Sequence, residues 1–332
     1  GHLVGEGAFG WDIEVLPQLA PVVQGLVGGG RAVEQHHGQQ GQAGEMPAHN
    51  HGSAPALSPH APAPGKVYSV SKDGSRIAVA CKLAAEGANI VIADLGPDSD
   101  PDLAVKTGTE NEMADIVAEI VRDHGVDAMA VNLDVTNSDS IARMVDAVAK
   151  RFEKIQILVN NAGASFGVPN AVHTYDETAW MKTIDVNLHG VFRVSRALLP
   201  LMILEGGTIV NTASRAGKTP PLFNGAYAVA KAGVIMLTKV MASELAGNGV
   251  RVNAICPGQV ATDLEKWRFG LEAQFFDSTI EEREAEMCKT IPLGRIGRPD
   301  EVGDLVVFLA SDRSSYMTGQ AINITGGQLM EL

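Results

Sequence analysis

Cysteine is scarce in this chain, basic charge is in deficit, and no apolar run is long enough to cross a bilayer. Each shortage excludes something. The three cysteines among 332 residues, Cys81, Cys256 and Cys288, sit in apolar or helical stretches without metal-like spacing. That argues against a metal site and predicts reduced, buried thiols in a cytosolic protein. Lys and Arg number 26 against 39 Asp and Glu, a net charge of −13, so a nucleic-acid backbone would be repelled unless a local basic patch overrode the field. No such patch occurs. No uninterrupted apolar run approaches the roughly 20 residues a membrane helix needs, and the N-terminus lacks a basic region leading into an apolar one. The expectation is a soluble, cytoplasmic protein with neither a nucleic-acid nor a membrane partner.

What is present is ordinary globular composition, 45% hydrophobic and 20% charged, enough for one large domain with an appendage. The appendage is the first 64 residues. They carry a Gly run at 28–30, a Gln/Gly tract at 37–42 and a Pro/Ala/His tail at 54–64, a composition that buries little apolar surface and predicts a largely disordered extension. A short helix near 13–26 is compatible with it. Six of the nine histidines fall here, His2, His36, His37, His49, His51 and His60, and a flexible polar tract explains them better than metal capture, which needs fixed geometry. The chain starts with Gly1 rather than Met, which reads as a cloning remnant or a piece of something longer.

From Lys66 the pattern alternates. Strands are predicted at 67–70, 89–94, 128–135, 155–159, 208–212, 250–255 and 321–325, and helices at 75–86, 111–123, 138–152, 177–204, 225–245 and 299–310. Near-continuous apolar strands separated by helices predict a doubly wound parallel α/β sheet covered on both faces, in which ligands bind beyond the carboxyl ends of the strands.

The residues after those strands carry the chemistry. Tyr227 and Lys231 stand four apart on a strong helical pattern, sharing one face. An ammonium there favours the phenolate of a tyrosine, whose ordinary pKa of about 10 makes it a poor base at neutral pH, so Tyr227 is a candidate acid/base. Ser214 ends an apolar strand, and a Gly/Pro loop can fold its hydroxyl back towards Tyr227 to polarise a substrate oxygen. Asn161, Ala162 and Gly163 follow another strand, where small residues let backbone approach a flat ligand or simply turn the chain. Asp134 and Val135 end a third; the carboxylate can accept from an adenine amino group or cap the next helix. Asp94, twenty residues beyond Gly74, can bind both ribose hydroxyls of an adenosine and would repel a 2′-phosphate, favouring NAD over NADP. Pro257 and Gly258, with Val260 and Thr262 a few residues on, offer backbone and hydroxyl to a carboxamide. Asn187, polar in an apolar helical pattern, either distorts the helix and holds a water or satisfies itself as a helix-interior amide.

N-N-A-G, D-V-N in the following helix, Ser214 thirteen residues before Tyr227, Y-x-x-x-K, and P-G after the next strand occur in an order that resembles the short-chain dehydrogenase/reductase family over 65–332. The resemblance implies a single-domain Rossmann fold and hydride transfer between a nicotinamide and an alcohol or carbonyl. It implies that Tyr227 is the acid/base and that Ser214 positions the substrate oxygen. Lys231 would bind the nicotinamide ribose and lower the Tyr227 pKa, and Asn187 would hold a water linking Lys231 to solvent. It also implies a homotetramer paired through the helices at 177–204 and 225–245. The ending at 316–328 is similar to sugar-alcohol dehydrogenases of the family, so the expected substrate is a polyol or similar secondary alcohol, with a sugar or 3-oxoacyl compound as further options.

One stretch departs from the family. Where T-G-x-x-x-G-x-G would wrap the cofactor diphosphate, this chain reads V-Y-S-V-S-K-D-G-S-R-I at 67–77. Gly74 falls on one loop glycine and Arg76 on the next, Asp73 brings negative charge near the diphosphate, and Lys72 and Arg76 offset it. That departure supports an alternative, a non-catalytic binding or scaffold protein that keeps the fold with a defective phosphate loop; against it, every catalytic position is filled. The segment at 264–287 has amphipathic helical character and is expected to act as a lid over the substrate.

Overall fold

A strand whose alternate side chains are all apolar must be covered on both faces, and β1 (Ile90–Asp94), buried at every position, meets that condition. Ile90 and Ile92 join one core with Val79, Leu83, Ile120 and Val306; Val91 and Ala93 join another with Ile141, Met144, Leu158 and Leu198. The computed structural model describes residues 74–96 and 110–331. The leader expected at 1–64, the strand expected at 67–70, Lys72, Asp73 and the side chain of Arg76 lie outside the described residues.

Within them the order is α1 (Gly74–Ala85), β1, α2 (Glu110–His124), β2 (Ala128–Asn132), α3 (Ser138–Phe152), β3 (Ile157–Asn160), α4 (Glu177–Ile184), α5 (Gly190–Leu198), β4 (Gly207–Thr212), α6 (Gly225–Leu245), β5 (Val250–Pro257), α7 (Asp263–Phe275), α8 (Ile280–Lys289), α9 (Pro299–Ala310) and β6 (Ala321–Ile324). Every ladder is parallel: β1 pairs with β2, and β3, β4, β5 and β6 pair in that order. The first core lies under α1, α2 and α9, the second under α3, α5 and α6, which is the two-faced covering that parallel ladders require.

Local signals set the ends of several elements. Asn137 caps α3 by accepting from the amides of Asp139 and Ser140 at 2.9 and 3.0 Å, as side-chain caps do. Gly303 lets α9 lie against α1, since a Cβ there would stand 3.0 Å from Lys82 Cγ and 3.3 Å from the Ala78 carbonyl.

Several expectations need correction. The strand predicted at 128–135 stops at Asn132, because Asp134 turns the chain: its Oδ1 accepts from the amide and hydroxyl of Thr136 at 2.8 and 2.6 Å. Gly74 opens a helix instead of sitting in a loop. Pro257 lies inside β5 instead of following it, as a proline can at a strand end. The lid segment forms two helices, α7 and α8, with Asp277 between them at φ 49°. The helix predicted at 177–204 divides into α4, a π turn (Asp185–His189), α5 and a 3₁₀ turn. Among the described residues one helix, 225–248, is long and apolar enough to span a membrane, with 44% of that window buried; much of its apolar character is its buried face, with Val234, Met241 and Leu245 in the cores.

Candidate active site

The π turn exists around one buried amide. Asn187 is fully buried; its Nδ2 donates to the Thr183 carbonyl at 2.8 Å, one turn back, and to the Ala164 carbonyl at 2.5 Å. An amide that takes up backbone carbonyls competes with the helical ladder, and a wide turn is the result. Its Oδ1 is buried without a protein hydrogen bond, so it can accept from a bound water. Thr183 adds a second tie, its hydroxyl accepting from the Phe166 amide at 3.1 Å. The loop after β3 is thereby stapled to α4 and the π turn.

Gly163 sits in that loop. A Cβ there would stand 2.8 Å from Asn187 Oδ1 and 3.5 Å from Lys231 Nζ, so its missing side chain is what lets loop, amide and ammonium converge. Lys231 is 2% exposed, and its Nζ donates to the Thr212 carbonyl at the end of β4 at 2.8 Å. The same ammonium lies 5.5 Å from the ring centre of Tyr227, one turn earlier on α6. Ser214 follows two residues after Thr212. Its Oγ accepts from the Ala216 amide at 3.1 Å, which leaves the hydroxyl hydrogen to donate elsewhere. The turn after it is held by Gly217, whose added Cβ would stand 2.6 Å from the Lys231 carbonyl carbon. Thus Gly163, Asn187, Tyr227 and Lys231 converge at the ends of β3 and β4, and Ser214 lies two residues past the Thr212 carbonyl that Lys231 holds.

The other expected residues are strung along neighbouring strand ends. Asn161, Ala162 and Val135 line one small cleft with Gly190 and Val191. Asp94 is buried at the end of β1, its Oδ1 accepting from the Leu95 amide at 2.7 Å. Asp134 spends one oxygen on its own turn, and of its two expected roles the helix cap is taken by Asn137. The Gly258 amide donates to the Ile324 carbonyl at 3.0 Å, Val260 is buried in the first core, and Thr262 caps α7 through its hydroxyl on the Glu265 amide at 3.2 Å. Beneath Ser214, burial pushes the Cys256 thiol up, against the pull of Lys218 and a hydrogen bond to the Ser214 backbone.

Sequence reasoning missed three features. Asn160 donates to Asn211 Oδ1 at 2.8 Å and to Ser195 Oγ at 2.9 Å, and Asn211 donates to Thr238 Oγ1 at 2.9 Å, a buried chain tying β3, β4 and α6. Lys218 holds the chain end through Ala321 O, Asn323 Oδ1 and Glu331 Oε2. On α7 the (i, i+3, i+7) spacing of Glu265, Arg268 and Glu272 signals one charged stripe, and Arg268 bonds both carboxylates.

A doubly covered parallel sheet, with a buried Lys beside a Tyr and a Ser hydroxyl at one strand end, defines an NAD(P)-dependent oxidoreductase acting on CH–OH or ketone groups. The family described as enoyl-(acyl carrier protein) reductase matches residues 74–328. The 3-oxoacyl-(acyl-carrier-protein) reductase of Staphylococcus aureus is 34% identical over 253 residues, 76% of this chain and 92% of its own length. Carveol dehydrogenase from Mycobacterium avium, solved with NAD, superposes at TM-score 0.75 with 29% identity, over 80% of this chain and 98% of that one. A variant of actinorhodin polyketide ketoreductase, solved with NADPH, superposes at TM-score 0.71 with 30% identity, over 80% and 97%. The chain belongs to the short-chain dehydrogenase/reductase family.

Proposed function

We propose that this chain moves a hydride between NAD(H) and a secondary alcohol or ketone of polyol, sugar or 3-oxoacyl type, with Tyr227 as the acid/base. The observation that carries this reading is the buried Lys231 ammonium, 5.5 Å from the Tyr227 ring centre and bonded to the carbonyl of Thr212, two residues before Ser214. The nicotinamide, when bound, supplies or accepts the hydride. In the reductive direction the Tyr227 hydroxyl gives its proton to the substrate oxygen, and the adjacent cation favours the phenolate left behind. The Ser214 hydrogen holds the same oxygen, with its lone pair anchored on the Ala216 amide. A water on Asn187 Oδ1 would return a proton towards Lys231, since that oxygen is buried without a protein donor.

The chain offers a fitting place for a dinucleotide. Asn161 and Ala162 line a cleft, Gly163 clears space over Asn187 and Lys231, the N-terminus of α1 begins at Gly74 where a diphosphate would be favoured, and Asp94 closes β1. Asp94 favours NAD, because a carboxylate accepts from both ribose hydroxyls and repels a 2′-phosphate. Relatives point both ways: xylitol dehydrogenase was solved with NAD+ and the actinorhodin ketoreductase with NADPH. The same reading places the enzyme in the cytoplasm, in keeping with its three free cysteines. It pairs subunits through α4 to α6, where Met181, Phe192, Val229, Met236 and Val240 are exposed.

Titrating the chain with NADH and with NADPH, read by nicotinamide fluorescence, tests the cofactor; tighter NADH binding is expected. Turnover of polyols and ketones should fall at least about 100-fold in Tyr227→Phe, and unchanged turnover in that variant would end the assignment.

A further inference from the structure

The turn that carries Ser214 contains two cations with opposite fates. Lys218 is used up by the Ala321 carbonyl, Asn323 and Glu331. Arg215, the residue after Ser214, is half-buried, and among the described residues its guanidinium makes no hydrogen bond or ion pair. Its turn is fixed, because Gly217 lies flush against α6 at Lys231.

The charges that face Arg215 come from the lid helix. Glu265 and Arg268 are within electrostatic reach of it, but Glu265 is already engaged. Arg268 donates to it through Nη2 at 2.5 Å and Nε at 3.1 Å, and the Gln259 amide nitrogen, turned towards it, donates at 2.6 Å. Glu272 takes Arg268 Nη1 and has Arg283 Nε at 3.5 Å. Arg268 and Arg283 thus each have a carboxylate within ion-pair distance, and Arg215 has none among the described residues. Burial and the neighbouring Arg268 both press against its charged form, so an incoming anion would relieve an existing cost.

We propose that Arg215 binds a carboxylate on the substrate, so that the site favours keto acids and hydroxy acids over the matching neutral compounds. This rests on the oxidoreductase reading and deepens it. Arg215 stands one residue from the hydroxyl that would hold the reacting oxygen and within electrostatic reach of α7, so a substrate held at Ser214 that extends towards α7 would meet its guanidinium. A guanidinium presents a rigid fork that matches two carboxylate oxygens. In a chain of net charge −13 an anionic substrate is otherwise repelled, so a local unpaired cation is what would admit it.

The test uses the full chain with 3-oxobutanoate and its methyl ester, the same ketone with and without the charge. The wild type is expected to favour the acid at least tenfold in kcat/KM. Arg215→Met should bring that ratio to within about twofold of unity through a raised KM for the acid, and Arg215→Lys should keep an intermediate ratio. An equal ratio in wild type and Arg215→Met, or a wild-type preference for the ester, overturns the proposal. If neither ketone turns over, the oxidoreductase reading fails on this pair, and titration calorimetry with 3-oxobutanoate still decides on Arg215. Saturable heat in the wild type that is lost in Arg215→Met supports it, and no binding in the wild type overturns it. Should circular dichroism show Arg215→Met unfolded, the ratio in Arg215→Lys gives the answer, an unchanged value counting against the proposal.

Discussion

Gly163 has no side chain, and the space a Cβ would need is taken by Asn187 Oδ1 at 2.8 Å. Asn187 cannot yield cheaply, because two hydrogen bonds pin its other end. Gly163→Ala should therefore push the amide and Lys231 out of position. We expect kcat to fall about 10- to 100-fold, the scale of a misplaced catalytic group, while far-ultraviolet circular dichroism stays native; steady-state rates beside a spectrum check both. The identity of this residue set was legible in the sequence, since spacing alone joined Tyr227 to Lys231. Its convergence was not. Gly163 and Lys231 are 68 positions apart; the parallel pairing of β3 with β4 sets their strand ends side by side, and Lys231 on α6 reaches them through the Thr212 carbonyl.

At the scale of elements, the helices predicted at 138–152, 225–245 and 299–310 have the observed bounds, because their caps and breakers are local. The helix predicted at 177–204 was read as continuous apart from a distortion at Asn187, since its apolar period runs on; the break comes from a contact with Ala164, 23 positions away. Helix α9 carries a pH prediction. Arg295 and the Arg298 amide hold the Glu301 carboxyl down to about 2, below its ordinary 4.5. Between those values the unfolded chain binds the proton and the folded one does not, so stability present above pH 4.5 is lost as pH falls towards 2. Glu301→Gln should lower the chemical-denaturation midpoint at pH 7 and should lose less stability than the parent between pH 4.5 and 2. A parallel decline in both proteins would show that the capping interaction contributes nothing.

At the scale of the whole molecule, two apolar cores on either side of one set of strands hold the strand ends in register. Leu158 is wholly buried in the second core, and Leu158→Ala should cost about 2–5 kcal/mol as lost burial and residual cavity, read from urea unfolding. Asn211 works at the same scale through polarity. Asn211→Ala removes one of the two acceptors of Asn160, leaving Ser195, and takes away the amide that donates to Thr238, which should cost about 1–3 kcal/mol in the same measurement and loosen the β4 end that carries Thr212 and Ser214. If Asn211→Ala matches the parent, the chain of amides is incidental.

By itself the sequence determined the alternation of strands and helices, the apolar faces and the order of the chemical motifs, because each depends on residues within a few turns of one another. It offered Asp134 as a ligand contact or a helix cap and Thr262 as a ligand contact, and it did not show the local hydrogen bonds each makes, Asp134 Oδ1 with Thr136 and the Thr262 hydroxyl with the Glu265 amide. It gave no sign that Asn160, Asn211 and Thr238 form one chain, or that Arg215 stands near the charged stripe of α7 without an ion pair of its own among the described residues. Those outcomes turn on which buried polar groups find partners, and partners from distant strands exist only once the sheet has brought them within hydrogen-bond reach.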